Sequence, residues 1–166
     1  MNSLEQANQL SGLASTNLCD LVRQSVNRHK DQAEDLKVDL VFQYEKDPIL
    51  GFVDSQKIVQ VIDTFISNAL KFSHRHQAVE IFVGRHPNRL PMVMVKDHGQ
   101  GIPHAEHERI FDPFYQTNGE PHRKFSGLGI GLAMAKEIIT AHGGELWFDS
   151  SPGTGSTFTF TVQNPG

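Results

Sequence analysis

Residues 54–72, DSQKIVQVIDTFISNALKF, decide the fold. Ile58, Val61, Ile62, Phe65, Ile66, Ala69 and Leu70 recur at the spacing of one helical face, which predicts a helix with a broad apolar stripe. Asp54 stands just before that pattern as an N-cap. At about 100° per residue, Lys57, Thr64, Asn68 and Lys71 form a second, polar stripe along the edge of the apolar face. Solubility alone would favour Glu and Lys opposite the core. Here an amide and two ammonium groups lie beside the core, where a ligand can touch helix and sheet together. Asn68 by itself also fits a tolerated polar residue at a core edge. The glycine-bearing motifs further along the chain shift the weight to a ligand.

The chain has 166 residues and a formal net charge of -4, enough for one domain with a proper core. Its Lys and Arg residues never cluster in runs longer than a pair, which argues against a nucleic-acid surface. The single cysteine, Cys19, excludes an internal disulfide framework and suits a reducing cytoplasm. No apolar run approaches the roughly 20 residues that span a membrane, and no signal peptide is visible, so no direct membrane contact is expected.

Around the organising helix, periodicity places the other elements. Residues 1–15 are polar with scattered leucines, either the frayed end of a helix from a neighbouring domain or a disordered leader. A helix is expected from Thr16, with Leu18, Leu21, Val22, Val26 and Ala33 inward and Asn17 or Thr16 as cap. Val38, Leu40 and Phe42 alternate as a strand, and a short strand follows at Phe52–Val53. Ala78–Val83 and Met92–Val95 are the next strands. In the second, Val93, Val95 and Asp97 share a face, so an apolar face ends in a carboxylate. A short helix is expected around Ala105–Ile110 and a longer one over Leu128–His142, with Leu132, Ala135 and Ile139 inward, stopped by Gly143 and Gly144. The last strands are Gly144–Asp149 and Ser156–Val162. In the final one Phe158, Phe160 and Val162 alternate with Thr157, Thr159 and Thr161, predicting one buried and one polar face. The fold class is α+β, a two-layer sandwich of a mixed, mostly antiparallel sheet of about five strands with helices on one face.

Three motifs carry chemistry. Asp97-His98-Gly99-Gln100-Gly101-Ile102 follows a strand directly. A carboxylate at a buried strand end is costly unless hydrogen-bonded, and an exocyclic amine would satisfy it. Glycines at 99 and 101 let a flat ring approach the backbone, although a tight turn after a strand explains the same pattern. Ser126-Gly127-Leu128-Gly129-Ile130-Gly131-Leu132 opens a helix, where exposed N–H groups at the positive end of the dipole suit phosphate; close packing is the plainer explanation. Neither dinucleotide-fold nor P-loop spacing is present. Between them lies Ile110-Phe111-Asp112-Pro113-Phe114-Tyr115, leading into a lid-like run to Ser126 that carries Arg123 and Lys124.

Together these motifs resemble the catalytic, ATP-binding domain of sensor histidine kinases, within the group that includes gyrase, Hsp90 and MutL. Asn68-Ala69-Leu70-Lys71-Phe72-Ser73 is similar to the family's Asn box. Asp97–Ile102 is similar to its first glycine box, Phe111–Phe114 to its Phe box, and Gly127–Leu132 and Gly153-Thr154-Gly155-Ser156-Thr157 to its later glycine boxes. The resemblance covers about residues 16–163. It implies a Bergerat-type ATP-binding fold over 16–166, with 1–15 as leader or as the tail of a dimerisation helix. It further implies ATP and Mg²⁺ as cofactors, Asn68 as the Mg²⁺ ligand and Lys71 at the phosphates. Phe72 would pack near the nucleotide, Asp97 would accept from the adenine amine, and Gly99, Gly101 and Ile102 would shape the base pocket. Gly127, Leu128, Gly129, Gly131 and Leu132 would hold the triphosphate, with Arg123 and Lys124 in the lid and Thr157 helping to close the adenine end through the sheet. The implied partners are a dimerisation domain bearing the phosphoacceptor histidine and a response-regulator receiver domain, in the cytoplasm, with a parent protein that is either soluble or membrane-anchored.

Three departures stand out. Thr64 lies four residues before Asn68, where the family commonly has Asn and the gyrase-like ATPases a catalytic Glu. A hydroxyl is no general base near neutral pH, and Asp63 points about 100° elsewhere. Gln116 replaces a common Arg after the Phe box, and His98 is an unusual occupant of the first glycine box. No histidine sits in an H-E-x-x-x-P phosphoacceptor motif, so the acceptor histidine is expected outside this chain. His104 and His107 lack a third ligand for a structural metal. The alternatives are a serine kinase of the anti-sigma type on the same fold, and a non-catalytic nucleotide-binding regulatory module.

Overall fold

The computed structural model describes residues 10–112 and 128–166, with side chains over 128–130 left aside. In chain order the elements are β1 (Ala14–Asn17), α1 (Leu18–Leu36), β2 (Asp39–Tyr44), β3 (Leu50–Val53), α2 (Ser55–Phe72), β4 (Ala78–Arg85), β5 (Pro91–Lys96), a single 3-10 turn at His104–Glu106, α3 (Leu128–Ala141), β6 (Leu146–Ser151) and β7 (Gly155–Thr161). A five-stranded sheet has the order β2-β4-β5-β7-β6, parallel only between β2 and β4. The class is therefore α+β with a mixed, mostly antiparallel sheet. No described helix is long and apolar enough to cross a membrane.

The organising helix forms as its periodicity predicts. Asp54 caps it by accepting the Lys57 N–H at 3.3 Å, and Ile58, Val61, Ile62, Phe65, Ile66 and Leu70 are all buried. α2 is the central helix, packed against α1, α3 and the sheet. Its core partners are the inward residues of the central strands, among them Ile81, Val93, Val95, Phe158 and Phe160. Burying such side chains contributes about 1.5–3 kcal/mol each, so this interface holds the two layers together.

Three expectations change. The helix does not begin at Thr16: Ala14–Asn17 is extended and pairs antiparallel with β3, and Asn17 caps α1 by accepting the Cys19 N–H at 3.0 Å. The helix expected at Ala105–Ile110 is a 3-10 turn followed by turns. The threonine face of β7 is not open, because Thr159 and Thr161 are buried. β7 is an inner strand, and Thr159 is flanked in register by Met94 and Trp147.

Candidate functional site

β5 delivers Asp97 to the site. The register Lys96↔Thr157 continues into an Asp97 N–H bond to the Ser156 carbonyl at 2.9 Å, which sets Asp97 opposite Ser156. Asp97 keeps the parity of Val93 and Val95 and is 3 % exposed. Its Oδ1 accepts the N–H of Gly99 at 2.9 Å and that of Ser156 at 3.3 Å. Both bonds fall on one oxygen, leaving Oδ2 to a ligand donor. Burial raises the Asp97 pKa above the usual carboxylate value, against the two N–H bonds and nearby His98, which lower it.

The loop after Asp97 is pressed against its neighbours. A Cβ at Gly99 would lie 2.0 Å from the Phe72 carbonyl oxygen at the end of α2. Gly101 has φ 76°, and a Cβ there would lie 2.0 Å from the Ser151 carbonyl oxygen. Glycine is therefore required at both positions. The Gly153 N–H donates to the Gln100 carbonyl at 2.8 Å, and the Ile102 N–H donates to Ser150 Oγ at 2.7 Å. The first glycine box, the end of β6 and the β6–β7 turn thus form one hydrogen-bonded cradle. His98 turns to Glu80, with Nε2 3.5 Å from Oε1.

The end of α2 borders this cradle. Asn68 is 6 % exposed, and its Nδ2 finds no hydrogen-bond partner among the described residues. A buried amide with an unsatisfied end is uncommon and points to a missing partner. Lys71 and Phe72 are half-buried in the last turn of α2, where Phe72, like Ile102, packs against the core. On α3, Leu128 and Gly129 lie in the first turn. A Cβ at Gly131 would meet Thr64 Cγ2 at 3.1 Å, and both residues line a groove of about 240 Å³ between α2 and α3. Arg123, Lys124, Gly127, Phe114 and Gln116 lie outside the described residues.

Two of the expected site residues sit elsewhere. The Leu132 side chain is 1 % exposed and belongs to the core cluster, so only its backbone is available to a ligand. Thr157 lies between Lys96 and Asp149 on the opposite sheet face, so it reaches the Asp97 end only through the sheet. Ser156 is the residue that meets Asp97, joined through a 2.8 Å hydroxyl contact to Ser150. Counting back by two from the buried Phe160 and Phe158 arrives at Ser156, so the strand alternation already held the signal.

The remaining candidates have structural work. Asp63 accepts from Ser25 Oγ and, at 2.8 Å, from Arg28 Nη2, both on α1. His107 Nε2 lies 2.9 Å from the Ile102 carbonyl, and the ring meets Phe148 edge-on with centroids 4.8 Å apart. Among the described residues no three His, Cys, Asp or Glu side chains gather as metal ligands would. Phe111 of the Phe box packs on Phe148 at 5.8 Å, and the Lys136 ammonium stands 4.9 Å above its ring.

Comparison with known proteins bears on the family and the fold. Residues 53–166 match the family model for histidine kinase-, DNA gyrase B- and HSP90-like ATPases. The sensor histidine kinase WalK of Bacillus subtilis (strain 168) is 46 % identical over 112 residues, 66 % of this chain and 18 % of its own length. A sensor protein kinase WalK of Staphylococcus aureus is 36 % identical over 143 residues, 85 % of this chain and 34 % of its own. The chain thus spans about a fifth to a third of these relatives. Among solved structures, the nucleotide-free catalytic domain of histidine kinase ThkA superposes with a TM-score of 0.80 at 24 % identity, covering 93 % of this chain and 97 % of that one. Full-length ShkA in complex with AMPPNP gives 0.81 at 23 %, covering 96 % and 33 %. At such identities these likenesses speak for the fold.

Proposed function

The chain belongs to the histidine kinase-, DNA gyrase B- and HSP90-like ATPase family, and from that premise we propose that it is the ATP-binding catalytic domain of a sensor histidine kinase. It binds Mg-ATP and presents the γ-phosphate to a histidine on the dimerisation domain of the parent protein, in the cytoplasm. The phosphohistidine then supplies a response-regulator receiver domain. One observation carries this reading: a buried strand-end carboxylate with one oxygen held by two N–H groups and the other left over, beside a glycine cradle that excludes any side chain.

The roles follow from position. Asp97 Oδ2 accepts the adenine amine, with Gly99, Gly101 and Ile102 walling the base. Lys71 and the first-turn N–H groups of α3 at Leu128, Gly129 and Gly131 neutralise phosphate charge, with Gly127 before them and Arg123 and Lys124 adding cations. Asn68 would hold Mg²⁺ through its side-chain oxygen, a hard ligand suited to that ion, while its unpartnered Nδ2–H donors suit a phosphate oxygen. Bound there, Mg²⁺ would supply charge neutralisation on the phosphates. In the transfer, the acceptor imidazole nitrogen forms a bond to the γ-phosphorus, the bond from that phosphorus to the β–γ bridging oxygen breaks, and ADP leaves. The imidazole proton passes to solvent. Catalysis is positioning and charge stabilisation rather than base chemistry.

Calorimetric titration with an ATP analogue, with and without Mg²⁺, tests the site; Mg²⁺-dependent binding should disappear in Asn68→Ala. The parent's dimerisation domain, supplied in trans with ATP, should acquire acid-labile phosphate, while the chain alone should not label itself. Binding without transfer would favour a regulatory nucleotide-binding module, and transfer to a serine would favour the anti-sigma type of kinase.

A further inference from the structure

Ser150, at the end of β6, joins three parts of the cradle. Its Oγ accepts the Ile102 N–H at 2.7 Å, donates to the Gly155 carbonyl at 3.1 Å and lies 2.8 Å from Ser156 Oγ. A hydroxyl has one proton and two lone pairs, and a carbonyl oxygen only accepts. The Ser150 proton therefore points to Gly155. Ile102 occupies one lone pair of Ser150, and the other receives the proton of Ser156. Ser156 Oγ is then left with lone pairs alone.

That polarity matters because Ser156 is 7 % exposed and stands opposite Asp97, with its own N–H on Asp97 Oδ1. Asp97 and Ser156 stand opposite each other on one sheet face, so their two acceptors, Asp97 Oδ2 and Ser156 Oγ, lie side by side at the strand end. A 6-amino purine brings N–H donors to that end. A 6-oxo purine brings a carbonyl oxygen, and the acceptors are left unpaired against it, which is the strong form of discrimination.

Resting on the nucleotide-binding reading above, we propose that Ser150 is a positioning residue for base selection: it fixes the donor direction of Ser156 and so selects 6-amino over 6-oxo purine nucleotides.

The test is the ratio of dissociation constants for ADP and GDP with the wild type, Ser150→Ala, Ser150→Thr, Ser156→Ala and the double Ala variant. The preference for ADP should fall about tenfold in Ser150→Ala, the worth of one hydrogen bond, and return in Ser150→Thr. Ser156→Ala should lose it to the same extent, and adding Ser150→Ala to that variant should change nothing further. Equal weakening of both nucleotides, with the ratio unmoved, would mean that Ser150 only braces the fold. If Ser150→Ala does not fold, an unchanged ratio in Ser156→Ala overturns the proposal equally well. A folded wild type that binds neither nucleotide would overturn the nucleotide-binding reading itself, which separates the two failures.

Discussion

His142, one residue beyond α3, accepts the backbone N–H of Asp54 through Nε2 at 3.0 Å, while its Nδ1–H donates to the Ile138 carbonyl at 2.8 Å. The imidazole is 6 % exposed and couples the end of α3 to the cap of α2. Asp54 is itself the cap, its carboxylate accepting from Lys57 at 3.3 Å and from Ser11 at 3.1 Å. His142→Ala leaves the Asp54 N–H buried without an acceptor, which costs about 1–3 kcal/mol. His142→Phe restores volume but not the acceptor, so it should be destabilised too. Urea unfolding of both variants checks this, and a His142→Phe variant as stable as wild type would show that only packing counts there.

Helix α2 was legible because seven apolar positions and a capping carboxylate agree on one period. Asp97 was legible because strand alternation carries a buried face straight into it. Strand β1 was not, since Ala14–Asn17 shows no apolar alternation and its conformation comes from pairing with β3, a partner more than thirty residues away. Leu132 closes a glycine motif, and the helical spacing that sets Leu132, Ala135 and Ile139 inward also turns its side chain into the core, as the burial of all three shows. Ser156 lay within reach of the alternation that runs back from Phe160 and Phe158, whereas Ser150 was hidden because its importance lies in a hydroxyl pair across two strands, which no single-strand pattern displays.

Asp97→Asn should stabilise the nucleotide-free domain while weakening binding. A carboxyl whose pKa is raised by folding holds its proton more tightly in the folded state. Its contribution to stability is full below the ordinary value of 3.8 and is lost as the pH rises through the folded value. The advantage of the Asn variant in melting temperature should therefore grow with pH across that window and persist at neutral pH. Asn still accepts the Gly99 and Ser156 N–H groups, but it sets an amide donor against the adenine amine. Loss of a hydrogen bond to a charged group predicts affinity about ten- to a hundredfold weaker. A melting-temperature difference that does not vary with pH would contradict the first half, and unchanged affinity the second.

Two glycine substitutions separate conformational strain from steric exclusion. Gly101 and Gly153 both have positive φ, 76° and 84°. A Cβ at Gly153 meets nothing within 4 Å, whereas one at Gly101 would lie 2.0 Å from a backbone carbonyl. Gly153→Ala should cost only the left-handed penalty of about 1–2 kcal/mol. Gly101→Ala must also push the base loop away from Ser151, so it should unfold at clearly lower denaturant and lose nucleotide binding. Equal losses in the two variants would show that the cradle tolerates displacement.

Asp63 is the carboxylate nearest in sequence to the position where gyrase-like ATPases carry their base, and its engagement with α1 predicts that it has no part in the chemistry. Oδ1 already accepts from Ser25 and Arg28, and the side chain is 34 % exposed on its solvent side. Asp63→Asn keeps an acceptor for the buried Ser25 hydroxyl and removes only the charge facing Arg28. The stability cost should stay within about 1 kcal/mol, as for a surface ion pair. Phosphotransfer to the supplied dimerisation domain should keep its rate within about twofold, whereas removing a general base costs about a hundredfold or more. A folded Asp63→Asn variant that binds nucleotide with normal affinity but transfers phosphate a hundredfold more slowly would reverse this assignment. The acidic group of α2 would then be taking a proton, and Thr64 would no longer distinguish this chain from the ATPases of its family.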